Sequence, residues 1–197
     1  VPDPERLVRL LDSGEADFAG MTTLEFLPLE PRLAPDPIFV VSRGGSARVE
    51  YLLLVRNDSG ITRLADLGHA ELMCLDSPLT SLALPWLDVR LAAEGRPPAA
   101  DYFARVARAT KLSAVILPVF FGRAKACLVT REGFKTMVEL NPQLGRDLRI
   151  LVESPGYVPM LSFLRRAYMP PFRQDLVDAI LRMHRTAAGR QILTMVQ

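Results

Sequence analysis

A continuous apolar run at residues 51–55 is followed by four polar or small residues at 57–60. A run of this kind predicts a strand that is buried on both faces. The Asn-Asp-Ser-Gly sequence after it favours a turn, because its side chains accept local hydrogen bonds and glycine tolerates positive φ. Ile61, Leu64 and Leu67 then recur at helical spacing, so a short helix is predicted next. We interpret this stretch as the crossing from one lobe to another.

On both sides of this stretch, the apolar and polar positions alternate with the periods of helices and strands. Upstream, the predicted elements are a helix at 4–13, a strand at 16–20, a helix from Thr22 or Thr23 to 29, and a strand at 38–42. Downstream, they are strands at 71–75, 102–107, 124–130, 148–152 and 158–163, helices at 80–93, 111–121 and 132–140, and C-terminal helices after 171. This alternation predicts an α/β protein.

Two apolar strands, at 51–55 and 148–153, bracket a long stretch of independent α/β pattern. The pattern predicts two lobes, each a mixed sheet flanked by helices, joined by these two crossing strands. Lobe one is predicted to comprise residues 1–52 and 154–197, and lobe two residues 53–153. We expect a small ligand to bind in a cleft between the lobes and to be enclosed by hinge closure.

Composition and charge narrow the possible partners. The 197 residues carry a formal net charge of +2, and their basic residues are scattered, so we expect no nucleic-acid partner. No apolar run reaches the roughly 18 residues that a membrane-spanning helix requires. Residues 1–4 have neither the basic start nor the apolar core of a signal peptide, so we expect no signal segment in this chain.

The residues that most often carry chemistry are few. Cys74 and Cys127 both fall in apolar, strand-like runs, and two alternatives stay open for them: buried free thiols, or a disulfide if the protein is exported. His69 and His184 have no second ligand at metal-binding spacing, so neither a metal nor another cofactor is expected. The chain also lacks the phosphate-loop, dinucleotide-binding and serine-hydrolase motifs. We therefore do not expect an enzyme.

Several short motifs resemble the phosphate, phosphite and phosphonate substrate-binding proteins of ABC transporters. The motifs are SGEADFAG at 13–20, Tyr51 followed by VRNDSGI at 55–61 and LADL at 64–67, LNPQL at 140–144, ESP at 153–155, and AGRQIL at 188–193. The resemblance implies the type II periplasmic-binding fold, with the family's first strand and the helix after it wholly or partly missing from this chain.

The resemblance also implies a function. It is that of an extracytoplasmic solute-binding protein of an ABC importer, either periplasmic or anchored outside the membrane. Such a protein is expected to act as a monomer, to bind a small molecule and to deliver it to a membrane permease. An anion of the phosphate or phosphonate type is one candidate ligand.

The family's anion-binding loop is divergent in this sequence. It corresponds to residues 78–81, where only Thr80 and Ser81 carry hydroxyl groups. A histidine of the family corresponds by spacing to Leu112, with Lys111 beside it. The resemblance therefore implies the scaffold of the family more strongly than its phosphonate site.

Other positions complete the predicted site. Tyr51 matches an aromatic residue of the family's crossing strand, and Thr130 falls near an acidic ligand residue. Thr22 and Thr23 open a helix, where they either cap it or donate to a ligand. Arg131 is a candidate, with Lys111, for replacement positive charge. The predicted ligand-binding residues are Thr22, Thr23, Tyr51, Thr80, Ser81, Lys111, Ser113 and Thr130.

Two other functions remain as alternatives on the same fold. One is a sensing or partner-binding domain of a signalling protein. The other is an enzyme related to the thiamine-precursor synthases, which would require a reactive histidine or cysteine in the cleft.

Overall fold

A computed structural model describes residues 4–33, 35–42 and 45–195. Residues 1–3, on which the expectation about a signal peptide partly rests, lie outside the described residues. The chain divides into two compact units, which we describe separately. Unit 1 comprises Val1–Met21, Glu25–Arg43 and Leu161–Gln197, and unit 2 comprises Thr22–Leu24 and Gly44–Met160. The assignment of functional lobes made from the sequence stays a prediction.

Helices and strands alternate through most of the described residues. The helices are α1 (Pro4–Ser13), α2 (Thr23–Phe26), α3 (Glu30–Leu33), α4 (Ala83–Ala93), α5 (Ala99–Tyr102), α6 (Leu112–Phe120), α7 (Arg131–Leu140), α8 (Pro142–Asp147), α9 (Arg173–Arg182) and α10 (Ala187–Met195). The strands are β1 (Phe18–Thr22), β2 (Pro35–Phe39), β3 (Tyr51–Arg56), β4 (Glu71–Leu75), β5 (Arg105–Ala109), β6 (Ala126–Thr130), β7 (Leu148–Glu153) and β8 (Met160–Arg165). Short 3₁₀ helices lie at Leu64–Leu67, Pro78–Thr80 and Met183–Arg185.

The first sheet has the strand order β1-β8-β2, and β8 and β2 run antiparallel. Alternate residues of β1 are buried, which places Ala19 and Met21 on the core side and Phe18 on the other. The residues of this core are Val8, Leu11, Ala19, Met21, Phe26, Leu29, Leu33, Leu161 and Phe163. Unit 1 thus has its own hydrophobic core.

The second sheet has the order β5-β4-β6-β3-β7. Strand β4 runs parallel to β5 and β6, whereas β3 runs antiparallel to both β6 and β7. The carboxyl ends of β4, β5, β6 and β7 therefore share one edge of the sheet with the start of β3. We call this the carboxyl edge of unit 2.

Strand β3 is buried on both faces, as its apolar run predicts. Tyr51, Leu53 and Val55 face the core that α4 covers, and Leu52 and Leu54 face the core that α6 covers. All five are at most 1% exposed. The two strands predicted to cross between lobes, β3 and β7, are direct neighbours in this sheet.

The two cysteines occupy adjacent strands, β4 and β6, but opposite faces of the sheet. Cys74 belongs to the α4 core and Cys127 to the α6 core, and both are free and buried. Side chains that leave neighbouring strands on opposite faces cannot reach the geometry of a disulfide. Burial raises the pKa of the Cys74 thiol to about 12, and it also raises the pKa of Cys127.

We expect both thiols to be unreactive in the native protein. A thiol-specific chromogenic reagent at pH 8 should react with neither Cys74 nor Cys127 until denaturant is added, because reaction needs an accessible thiolate. The exposed variant Thr136→Cys provides a positive control that should react at once. Rapid reaction of the unmodified native protein would contradict the burial of both groups.

Candidate functional site

The carboxyl edge of unit 2 collects most of the residues that the sequence predicts to bind a ligand. They lie in the loops after β4, β5 and β6 and at the start of β3, because parallel strands end at the same edge. In open α/β sheets, ligands bind outside the carboxyl ends of the strands. The predicted residues at this edge are Tyr51, Thr80, Ser81, Lys111, Ser113 and Thr130.

Tyr51 is the first residue of β3 at this edge, and its side chain is fully buried. Its hydroxyl donates to the carbonyl oxygen of Leu79 at 3.0 Å. Its ring stacks on Tyr157, with 6.2 Å between centroids and 17° between planes, and it also contacts Trp86 at 6.4 Å. Burial raises the pKa of Tyr51 to about 12. Tyr51 therefore positions the loop after β4 and the segment after β7.

Thr80 is held inside the loop after β4. Its Oγ1 lies 2.7 Å from the carbonyl oxygen of Leu75 and 2.9 Å from that of Ser77, and it accepts from the Ser77 backbone N–H at 3.1 Å. A hydroxyl has one proton to donate, and Thr80 donates it in a hydrogen bond to a backbone carbonyl oxygen. The arrangement is the reciprocal capping of a short 3₁₀ helix, so Thr80 shapes the loop from within.

Thr23 and Ser81 both bind the segment after β7. The Thr23 hydroxyl donates to the carbonyl oxygen of Val158 at 2.5 Å, and the Ser81 hydroxyl donates to that of Pro159 at 3.3 Å. The backbone N–H of Thr23 also donates to Pro159 at 2.8 Å. We call Thr23, Tyr51, Ser81 and Tyr157 the tyrosine cluster.

Lys111, Ser113 and Thr130 form a second group, the α6 cluster, where α6 and α7 begin. The Thr130 hydroxyl caps α7 by accepting from the Gly133 N–H at 3.1 Å. A Cβ placed on Gly133 would lie 3.1 Å from a methyl group of Leu112, so the first turns of the two helices are in close contact. Lys111 is exposed, and neither it nor the Ser113 side chain has an ion pair or hydrogen bond among the described residues.

Thr22 is partly buried and ends β1. It belongs to the short segment Thr22–Leu24 that is part of unit 2. It directly precedes Thr23, whose backbone and side chain both bind the segment after β7.

Arg131, the other candidate cation, is engaged by two carboxylates. Its Nε donates to Glu50, and one terminal nitrogen lies 2.5 Å from Glu153. These hydrogen bonds, first that of Glu50, raise the pKa of Arg131. Glu50 precedes β3 and Glu153 ends β7, so Arg131 joins three strand ends. Lys111 has no such carboxylate partner among the described residues.

Sequence reasoning missed Tyr157 and the polar contacts beside it. Ser154 is buried, and its Oγ accepts from the Tyr51 backbone N–H at 2.7 Å and donates to the Pro155 carbonyl at 2.7 Å. Tyr157 pairs with Val49 through an isolated β-bridge, which brings its ring onto Tyr51. The residues 154–156, Ser-Pro-Gly, indicate a turn in the sequence, but nothing local indicates the partner of Tyr157.

Two surface depressions lie at the opposite edge of the same sheet. One has a volume of about 170 Å³ and is lined by Arg56, Asp58, Ser59, Gly122, Ala124 and Lys125. The other has a volume of about 230 Å³ and is lined by Ala65, Gly68, His69, Arg96, Pro97, Asp101 and Tyr102. Both are shallow and mixed in charge, so we place the candidate site by its chemistry at the carboxyl edge.

The part of the chain that the structure describes has neither a metal-binding cluster nor a membrane-spanning helix. Across 4–33, 35–42 and 45–195, no group of three or more His, Cys, Asp or Glu side chains is arranged to hold a metal ion. In the same ranges, no helix combines the length and the apolar character needed to cross a membrane.

Comparison with known proteins gives a family for this chain. The sequence profile of the family described as ABC transporter, phosphonate, periplasmic substrate-binding protein matches residues 1–197. A comparison with curated proteins finds no match.

Solved structures of low sequence identity share the fold. XAC2383 from Xanthomonas citri, bound to ATP, superposes with a TM-score of 0.68 at 20% identity, over 95% of this chain and 71% of its own. A binding protein component of an ABC phosphonate transporter from Pseudomonas aeruginosa gives 0.65 at 18%, over 100% and 66%. PhnD1 from Prochlorococcus marinus, in complex with methylphosphonate, gives 0.64 at 16%, over 100% and 75%. The predicted type II periplasmic-binding fold is confirmed.

Replacing Tyr51 with phenylalanine tests the hydrogen bond from its hydroxyl to Leu79. We expect Tyr51→Phe to lower the free energy of unfolding by about 1 kcal/mol at neutral pH, because the Leu79 carbonyl loses its donor. The pH dependence of stability is the sharper test, because the raised pKa of Tyr51 means that the folded state favours the neutral phenol.

The stability that the neutral Tyr51 contributes is fully present below the unfolded pKa of 10.0, and it is lost as the pH rises toward about 12.

Urea denaturation of both proteins across this pH range measures the difference. The wild-type protein should lose more stability than the variant as the pH rises. Parallel stability profiles would contradict a buried, neutral Tyr51.

Proposed function

This chain belongs to the family of periplasmic substrate-binding proteins of phosphonate ABC transporters, and on that premise we propose that its small-molecule ligand binds at the carboxyl edge of unit 2. The convergence of the tyrosine cluster and the α6 cluster at this edge is the observation that supports the proposal. The protein acts outside the cytoplasm with an ABC permease, as its family does. The two clusters would provide its ligand contacts.

The chemistry of the edge suits a small polar molecule. Helices α6 and α7 begin there, and the unsatisfied N–H groups of first turns favour negative charge. The α6 cluster adds the Lys111 ammonium group and the Ser113 hydroxyl, neither of which has a protein partner among the described residues. An anionic group of the ligand is therefore best placed against the α6 cluster.

The two alternative functions receive no support. The family is one of transporter components and not of enzymes. Cys74 and Cys127 are buried, with raised pKa values that oppose thiolate formation. His69 lies at the opposite edge of the sheet, beside a shallow depression. Cys74, Cys127 and His69 are therefore not candidates for a reactive group at this edge.

Anchoring outside the membrane and a monomeric state are parts of the same proposal. We expect one copy of the chain per particle, and light scattering after gel filtration should give a mass near 21.9 kDa. A stable dimer at micromolar concentration would contradict this expectation.

A thermal-shift panel tests ligand binding. Phosphate, phosphite, methylphosphonate and small zwitterionic metabolites are added at millimolar concentration, and a true ligand raises the melting temperature by mass action. We expect Lys111→Met to weaken binding of the responding compound by about tenfold or more, because a charge-assisted contact of about 1.5–3 kcal/mol is lost.

The matched control is Lys135→Met. Lys135 is also exposed and lies farther along α7, away from the carboxyl edge, so its replacement should leave the shift unchanged. The proposed site is wrong if no compound in the panel raises the melting temperature. It is also wrong if Lys111→Met and Lys135→Met change the binding affinity equally.

A further inference from the structure

Basic side chains that lie far apart in the sequence come together at the edge of the unit 2 sheet opposite the carboxyl edge. Arg56 ends β3, Lys125 directly precedes β6, and Arg149 is the second residue of β7. Strand β3 lies between β6 and β7, and Val55 pairs with Ala126 on one side and with Arg149 on the other. The strand order therefore places these three cations next to one another.

Two further arginines reach the same place from outside the strands. Arg123 lies in the turn between α6 and β6, and Arg146 lies in α8. The carbonyl oxygen of Arg146 accepts a hydrogen bond from the side chain of Asn57, the residue after Arg56. A Cβ placed on Gly122 would lie 3.9 Å from a terminal nitrogen of Arg56, so the turn that carries Arg123 lies close to the end of β3. We call the following set the basic face: Arg56, Arg123, Lys125, Arg146 and Arg149, with the exposed Phe121.

Most of these charges have no partner within the chain. Arg56 is the exception, since it donates to the two carboxylate oxygens of Asp58 at 2.7 and 2.5 Å and to the carbonyl oxygen of Phe120 at 2.6 Å. Of the other four, three are exposed and Arg149 is partly exposed. None of these four forms an ion pair with a carboxylate of the residues that the structure describes. Four cations are therefore available to a molecule in solution.

The basic face concentrates the positive charge of the chain. Its five cations and the two carboxylates beside them, Asp58 and Asp147, have a formal charge of +3, whereas the whole chain carries +2. Glu71, at the start of β4 on the same edge, is paired with Arg105, so this pair adds no net charge. A patch of one sign attracts partners of the opposite sign and steers their approach. Charge complementarity therefore indicates an acidic partner.

An aromatic ring and a depression add shape to the basic face. Phe121 is 59% exposed, and the guanidinium carbon of Arg123 lies 5.8 Å from the centre of its ring. The depression of about 170 Å³ that Arg56 and Lys125 help to line has room for one side chain of a partner. Aromatic residues and arginine are enriched in protein–protein interfaces, whereas lysine is depleted. Four of the five cations here are arginines, which favours a protein partner.

We propose that the basic face docks an acidic segment of a partner protein, with carboxylates of that segment on Arg123, Lys125, Arg146 and Arg149. The planar fork of a guanidinium matches a carboxylate in two parallel hydrogen bonds, which a lysine ammonium group cannot form. Phe121 gives the segment an apolar contact beside the charges. The basic face lies at the opposite edge of the sheet from the proposed ligand site, so this inference does not depend on the proposed function.

A labelled acidic peptide tests the docking directly. The probe is a fluorescein-labelled decapeptide of glutamate and leucine, titrated with the whole chain at pH 7 in low salt and followed by fluorescence anisotropy. We expect half-saturation at about 0.1 mM protein, because exposed ion pairs contribute little individually and four of them act together. A decapeptide with glutamine in place of glutamate should bind at least about tenfold more weakly. Salt at about 0.5 M should remove the difference, because it screens exposed charges.

Variants then locate the surface. Arg123→Gln, Lys125→Gln and Arg146→Gln each remove one exposed charge and should weaken binding of the acidic peptide about twofold to fivefold, and the triple variant should weaken it at least about tenfold. Lys135→Gln removes one exposed charge from α7 and is the matched control, which should bind the peptide as the wild-type protein does. All of these variants should keep the wild-type melting temperature and the wild-type response in the thermal-shift panel.

The inference is wrong if the acidic peptide does not bind at about 1 mM protein, or if Lys135→Gln weakens binding as much as the variants of the basic face. Vesicles of phosphatidylglycerol provide the competing surface. If they bind more tightly than the peptide, or without it, and the triple variant abolishes this binding, the basic face belongs to an anionic membrane surface and the inference is overturned. Vesicles that bind more weakly than the peptide, or not at all, support the protein partner.

Discussion

The burial of β3 on both faces is the constraint on which the rest of unit 2 depends. Its backbone pairs with β6 on one side and β7 on the other, while its side chains alternate between two cores. No position of such a strand tolerates a polar side chain without a partner. Its first residue, Tyr51, therefore reaches the carboxyl edge as a buried group that holds Leu79 by its hydroxyl and Tyr157 by its ring. The hydrophobic core thus fixes the position of Tyr51, and Tyr51 in turn positions Leu79 and Tyr157 at the candidate site.

Strands β3 and β6 could be predicted because burial on both faces leaves a simple sequence signature, a short run dominated by apolar residues. Two of the elements that prediction misplaced contain prolines. The helix predicted from Thr22 or Thr23 to 29 ends at Phe26 in α2, because Pro28 has no N–H to continue the helix. Strand β2 begins at Pro35, earlier than predicted. It lies at the edge of its sheet, where prolines are tolerated because one side of the strand has no ladder.

Sequence reasoning selected positions that share one edge of the sheet, but it could not give the interactions among them. Strand order brings the loops after β4, β5 and β6 together, so residues chosen from sequence fall at one edge. Which acceptor takes a hydroxyl proton depends on atoms far apart in sequence, as for Thr23 and Val158. The stacking of Tyr157 on Tyr51 and the pairing of Arg131 with Glu50 and Glu153 are equally non-local. Local patterns carry no signal for such contacts.

Residue type alone is therefore a poor guide to what a binding site recognises. A threonine whose proton is free and a threonine whose proton is bound present opposite polarities to a ligand, although the sequence writes both as the same letter. Thr130 and Thr23 are such a pair, since Thr130 accepts from a backbone N–H whereas Thr23 donates to a carbonyl. Loss of the family's hydroxyl-rich loop at 78–81 then need not abolish binding. In the site that we propose, the backbone carbonyls of the segment after β7 set the direction of the hydroxyl protons of Thr23 and Ser81.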